Sequence, residues 1–274
     1  MSRRPKHVVD FHTHVFPEKV AARAMATLTE TYQVQAHGEA TVPGLLRVMD
    51  ECGVDVSVVA PVATRADQVR SINDWAAEVQ TDRIVCFGAL HPELPDAAAE
   101  VERIVALGLK GVKLQPNFQA FAPDDPRLWP IYEAAQGRLI ALFHSGQEIK
   151  AVDHIYARPE ALARVHAAFP RLIMVVAHMG GYQIWDEVRR HLLGKSVYLD
   201  TSYCGEQDLS AADLKDLIRA HGADRVVFAT DYPWGQPKSD LERLSELGLD
   251  EDEVDAIAWG NAWRLLGLGR ASER

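Results

Sequence analysis

The chain has 274 residues, 47% hydrophobic and 25% charged, with 29 Lys and Arg against 39 Asp and Glu for a formal charge of −10. These are the proportions of a folded globular protein, not of a disordered tail, a collagen or a disulfide scaffold, and so acidic a chain lacks the positive surface that nucleic acid requires. Cys52, Cys86 and Cys204 form no CxxC pair, the basic start MSRRPKHVVD carries no signal-peptide core, and no apolar stretch approaches the roughly 20 residues of a membrane span; a cytoplasmic protein acting on a small molecule, with no membrane partner, is expected.

Eight short apolar, β-branched runs follow one another: HVVDFHTHVF (7–16), VDVSVVAPV (54–62), RIVCFGALHP (83–92), LKGVKLQPN (109–117), RLIALFHSG (138–146), RLIMVVAHMG (171–180), SVYLDTS (196–202) and RVVFATDYPW (225–234). Continuous apolar runs suit strands buried on both faces of a parallel sheet. Stretches of helical spacing lie between them at 96–107, 127–136, 160–169, 184–193 and 209–221, with another after the last run at 251–266. Strand and helix alternating eight times predict a (β/α)8 TIM barrel, an α/β fold, as one domain over 1–274. An open doubly wound sheet would usually place a glycine-rich turn after its first strand, and none is present. The gap at 17–53 holds more than one crossover helix needs, so part of it is expected to wall or cover the barrel mouth.

In such a barrel the active site lies at the C-terminal ends of the strands. The first run ends in His12-Thr13-His14, and strict alternation puts both imidazoles on one face with Phe11 and Thr13 on the other. Lys113 lies on the fourth run, His144 ends the fifth, His178 the sixth and Asp231 the eighth. Imidazole and charged groups are rarely buried without a partner, and a shared metal ion is the commonest partner for several at once. His7, His37, His91, His154, His166, His191 and His221 fall elsewhere and receive no role.

The segments DFHTHVFP, GVKLQP, FHSG, VVAHMGG, ATDYPW and GNAWRLLGL together resemble the amidohydrolase superfamily, in its amidohydrolase 2, or aminocarboxymuconate-semialdehyde-decarboxylase-like, branch. The resemblance runs from Asp10 to Leu268. It implies one divalent ion, usually Zn2+ with Mn2+ as the alternative, held by His12, His14, His144 and Asp231. It also implies that His178 orients or deprotonates the bound water, with Asp231 able to accept a proton. A carbamylated Lys113 bridging a second metal stays open; one metal, with Lys113 facing substrate, is preferred.

Such a site suits hydrolysis of a small amide, ester or lactone, and equally non-oxidative decarboxylation. Decarboxylases of the branch tend to carry longer insertions, so this compact chain is read first as a hydrolase of a carboxylated substrate, then as a carboxy-lyase, and last as an inactive ligand-binding barrel. Arg65 and Trp234 join Lys113 as expected substrate contacts, with Gln115, Asn117, Glu148, Trp185 and Tyr203 as further rim candidates. A homodimer is expected through wall helices near Trp259 and Trp263, although Ile257, Leu265, Leu266 and Leu268 recur at a spacing that would instead pack the last helix on the barrel.

Overall fold

The computed structural model describes residues 4–269; residues 1–3 and 270–274, which the single-domain reading included, lie outside them. Eight parallel strand positions follow the eight apolar runs: β1 (Val9–Thr13), β2 (Val56–Val59), β3 (Ile84–Cys86, resuming at Gly88–Ala89), β4 (Gly111–Leu114), β5 (Ile140–Phe143), β6 (Ile173–Val176), β7 (Tyr198–Asp200) and β8 (Val226–Val227). Each pairs in parallel with the next, the break within β3 dividing the ladder into a three-strand and a six-strand sheet. The ring closes between the first and last strands, where Phe11 N donates to Phe228 O at 2.9 Å and Asp231 N to His12 O at 2.8 Å.

Helices return the chain between strands: α1 (Glu18–Tyr32), α2 (Val42–Cys52), α3 (Val69–Glu78), α4 (Ala97–Ala106), α5 (Trp129–Ala135), α6 (Pro159–Ala168), α7 (Trp185–His191) and α8 (Ala211–His221). After β8 come α9 (Pro237–Glu246) and a last run from Glu251 to Leu266, widened at Ala256–Gly260. Local chemistry sets their ends. Thr41 Oγ1 accepts from Gly44 N at the start of α2, and Gly53 ends it at a φ of 62°, in the left-handed region open to glycine. Ser210 caps α8 the same way through Asp213 N. Of the described residues, no helix is long and apolar enough to cross a membrane.

The long 17–53 gap behaves as expected. α1 buries only Ala21 among its 15 residues, too little for a barrel-wall helix. Its end leans instead on the loops after β4 and β5: Tyr32 stacks on Phe118 at 4.6 Å and Lys150 Nζ donates to Thr31 O. α1 is the side wall of the mouth.

Two apolar layers result. One lies between the strands and the helices. The other fills the barrel and takes alternate residues from the strands, among them Val56 and Val58, Val85 and Phe87, Ile140 and Leu142, Val175 and Ala177, Val227 and Ala229. Phe11 belongs to this inner layer, its ring 5.8 Å from Phe87 in an edge-to-face pair. That corrects the strict alternation on β1, which turned Phe11 outward. The register of β1 against β2 runs Asp10 to Ser57 but Thr13 to Val59, so one extra residue is inserted in β1. Such a bulge lets Phe11 and His12 both face inward. Asp10 answers its polar cost: Oδ1 accepts from the amides of His12 and Thr230 at 3.3 and 3.0 Å, and Oδ2 from Thr230 Oγ1 at 2.6 Å. Burial pushes the Asp10 carboxyl up to about 8 against those bonds. Ile257 and Leu266 are buried in the two layers, so the last helix does pack on the barrel; Trp259 and Trp263 lie edge to face beside His7.

Candidate active site

Three of the four expected metal ligands converge. Donor atoms of His12, His14 and Asp231 all lie within 4.8 Å of one another. His14 Nε2 is 3.0 Å and His12 Nε2 3.5 Å from Asp231 Oδ1, and the two Nε2 atoms are 3.1 Å apart. Asp231 Oδ1 is buried, yet among the described residues no group meets it with hydrogen-bond alignment. Two imidazole nitrogens and a carboxylate oxygen within 4.8 Å of one another are the donor set of a divalent cation. Burial works to raise the Asp231 carboxyl, but the facing rings of His12, His14 and His178 hold it well below the carboxylate range.

His144 stands one ring further off. Its Nδ1 is 3.1 Å from His178 Nε2, and it falls outside the group of three. Its Nε2 lies 3.0 Å from Glu148 Oε1, itself held by Gln115 Nε2 at 3.1 Å and Asn117 Nδ2 at 2.8 Å. Burial would raise Glu148, but His144 and these donors pull it below its ordinary value. Three of the rim candidates thus form one polar cluster against His144.

His178 reaches the site by a backbone device. Strand parity on β6 turns Val175 and Ala177 inward, which would turn residue 178 away. His178 and Met179 instead adopt φ of 60° and 49°, left-handed values uncommon outside glycine. The turn brings the His178 ring to 5.8 Å from His12 and 4.9 Å from His144. Nδ1 lies 3.1 Å from Ser202 O and 3.0 Å from Ser202 Oγ, leaving Nε2 toward the site. Burial, then the charge of His144, lowers its pKa.

Lys113 is 2% exposed, and its Nζ lies 2.8 Å from His12 Nε2. Burial lowers the ammonium to about 8 although Asp231, Asp200 and Glu148 all favour it. Burial and Lys113 together drive His12 down to about 3, so that ring is a neutral imidazole. Trp234 packs on His14 at 5.3 Å, with a buried indole N–H that meets no acceptor among the described residues. Trp185 donates to His178 O at 3.1 Å, and Tyr203 packs on Tyr182. Arg65 is placed differently: 66% exposed, it pairs with Asp67 on the surface, and nothing ties it to the cluster.

Asp200 and Ser202 were not foreseen. Both are fully buried; Asp200 Oδ2 is 3.0 Å from His12 Nδ1, and Ser202 Oγ lies 2.5 Å from Asp200 Oδ1. Burial opposes ionisation of Asp200, but His12 and His178 hold it down at about 2. Alternation along SVYLDTS from the inward residue 198 would have pointed to 200 and 202.

A family model described as Amidohydrolase matches residues 9–268. Among curated proteins, the chain is 27% identical over 287 residues to a γ-resorcylate decarboxylase of Polaromonas sp. strain JS666, covering 82% of this chain and 87% of that one. Among solved structures, 5-carboxyvanillate decarboxylase from Sphingomonas paucimobilis superposes with a TM-score of 0.73 at 20% identity, over 96% of this chain and 99% of that one. A dihydroxybenzoic acid decarboxylase from Polaromonas sp. JS666, with bound manganese and the inhibitor 2-nitroresorcinol, gives 0.72 at 21% identity, over 97% and 98%. At these identities the structural likenesses establish the shared barrel fold.

Proposed function

The chain belongs to the Amidohydrolase family, and from that premise we propose that it is a metal-dependent decarboxylase of a small aromatic carboxylate, a carboxy-lyase rather than a hydrolase. The observation that carries this reading is the likeness to γ-resorcylate decarboxylase over 82% of the chain. The preference for hydrolysis drawn from the sequence rested on a compact chain; the 287 aligned positions against 82% of this chain do mark insertions in that relative, so it is the likeness to decarboxylases, not chain length, that supports the carboxy-lyase. His12, His14 and Asp231 would hold one divalent ion, with His144 as the fourth candidate. Manganese, bound in the Polaromonas structure, is the first ion to test, ahead of zinc.

When bound, the ion supplies Lewis-acid polarisation of substrate oxygens. The chain's own residues do the rest. The buried Lys113 ammonium offers a charge to the substrate carboxylate in a site where little water screens it. The Trp234 ring beside His14, with its unmet N–H, suits a substrate ring bearing a polar substituent. His178, carrying a proton on Nε2, delivers it to the ring carbon that bears the carboxylate. The bond from that carbon to the carboxylate then breaks, its electron pair restores the aromatic ring, and carbon dioxide leaves. With Nδ1–H held by Ser202 O, the proton on Nε2 makes the ring an imidazolium, and its lowered pKa makes that cation the stronger acid for this transfer. His178 recovers a proton from solvent.

The test is a panel of hydroxybenzoates, lactones and amides given to manganese-loaded protein. Carbon dioxide release, with one deuterium entering the product ring in D2O, is expected. Incorporation of 18O from water into a cleaved lactone or amide, without carbon dioxide from any acid, would restore hydrolysis.

A further inference from the structure

Asp200 touches the two halves of the site at once. Its Oδ2 faces His12 Nδ1 at 3.0 Å. Its Oδ1 accepts three donors: His178 N at 3.0 Å, Ser202 N at 3.0 Å and Ser202 Oγ at 2.5 Å. The carboxylate is fully buried, so water does not substitute for any of these. We propose that Asp200 is the positioning residue that fixes the tautomer of His12 and, through the same carboxylate, the backbone turn that presents His178. The proposal rests on the reading of His12 as a metal ligand, and its test separates the two.

The tautomer follows from what each neighbour is able to do. An ionised carboxylate only accepts and an ammonium only donates. Asp200 on the Nδ1 side therefore requires Nδ1–H, and Lys113 at 2.8 Å on the other side requires a lone pair on Nε2. Nε2 is the atom turned toward His14 and Asp231, and only a lone pair ligates a metal. On the other oxygen, the His178 amide held by Oδ1 belongs to a residue at a φ of 60°. That bond gives the left-handed turn a fixed acceptor, and Ser202 continues the link to His178 Nδ1 at 3.0 Å. Asp200 thus ties the orientation of a ligand to that of the proton carrier.

Asp200→Asn keeps the volume and inverts the logic. Two backbone amides donate to the Oδ1 position, and an NH2 group does not accept, so the Asn oxygen must stay there. The NH2 then faces His12 Nδ1 and forces that nitrogen to accept. The proton moves to Nε2, the ligating atom. The remaining acceptor within reach of Nδ1 is Ser202 Oγ at 3.3 Å, and Ser202→Ala removes it.

The readout is the 15N spectrum of histidine-labelled, chelator-treated full-length protein, with His12 assigned by difference against His12→Gln, together with the manganese Kd. The native chain is expected to show Nδ1–H at His12. Asp200→Asn, and more completely the double variant with Ser202→Ala, should show Nε2–H and bind manganese roughly 10–100-fold more weakly, the usual cost of losing a ligand's outer partner. Ser202→Ala alone should keep both the tautomer and the affinity. Nε2–H in the native protein, or an unchanged tautomer in a folded double variant, overturns the proposal. An inverted tautomer with unchanged manganese affinity upholds the hold of Asp200 on the ring and removes His12 from the ligand set.

Discussion

Lys113→Met should make the protein bind a divalent cation more tightly. The ammonium lies 2.8 Å from His12 Nε2 and donates to the lone pair that the ion would use, so two cations contend for one nitrogen. A hydrogen bond involving a charged group contributes about 1.5–3 kcal/mol. At about 1.4 kcal/mol per tenfold, abolishing this competitor should tighten binding by roughly 10–100-fold. Asp231, Asp200 and Glu148, all of which favour a cation at this point, would then act on the metal alone. Methionine replaces the stem with a side chain of similar length and asks no burial of charge where the site is 2% exposed, so the fold should persist. Competition between the protein and a fluorescent chelator for manganese measures the change. At the same time KM for an aromatic acid should rise, since the charge offered to the carboxylate is gone. Weaker metal binding in Lys113→Met, with two ions per native chain that depend on bicarbonate, would refute this argument and make Lys113 a carbamylated bridge.

His178→Asn should keep its manganese while turnover falls about 10²–10⁴-fold, the usual contribution of a positioned acid or base; near-native rates would reduce His178 to a structural residue. His14→Ala should lose metal more severely than His144→Ala, because His14 Nε2 stands 3.0 Å from Asp231 Oδ1 while His144 lies outside the converging group; equal metal content by elemental analysis would argue against that order. Burial raises Asp240 from 3.8 to about 7, so across that window the folded chain holds a proton that the unfolded chain has released, and stability falls as pH rises. Asp240→Asn should therefore match the native Tm near pH 4 and exceed it at pH 8; a difference independent of pH would show that Asp240 is not the cause. Phe87→Ala, emptying a fully buried site beside Phe11, should cost about 3–5 kcal/mol in urea unfolding, and a loss under 1 kcal/mol would mean that the inner layer closes over the gap.

The periodic features of the sequence carried the fold. Eight apolar runs, each longer than its strand and containing it, and helices separating them leave a parallel chain little choice but to close into a barrel, because strands buried on both faces must be covered by crossovers. The same runs ended in His12, His14, His144, His178 and Asp231, so the site was legible as a list of residues and its place at one rim followed from the fold. Tertiary structure decided how they meet, and it did so where the chain departs from regular periodicity. A one-residue bulge in β1 turned Phe11 as well as His12 inward, which no alternation rule gives, and Asp10 accepts from the His12 amide within the bulge and from the Thr230 amide across from it. Left-handed φ at His178 and Met179 rotated a ring that strand parity sends outward. Arg65 looked like an anion clamp until its neighbour Asp67 took it on the surface, a contact of short range that the residue types alone do not rank. Asp200 was readable in principle from the parity of SVYLDTS, yet its meaning is spatial: it is a carboxylate 188 positions from His12 whose two oxygens face a ligand and a proton carrier. Periodicity is written locally and survives in the sequence, whereas the partners of a buried polar group are chosen by elements that meet only when the barrel closes.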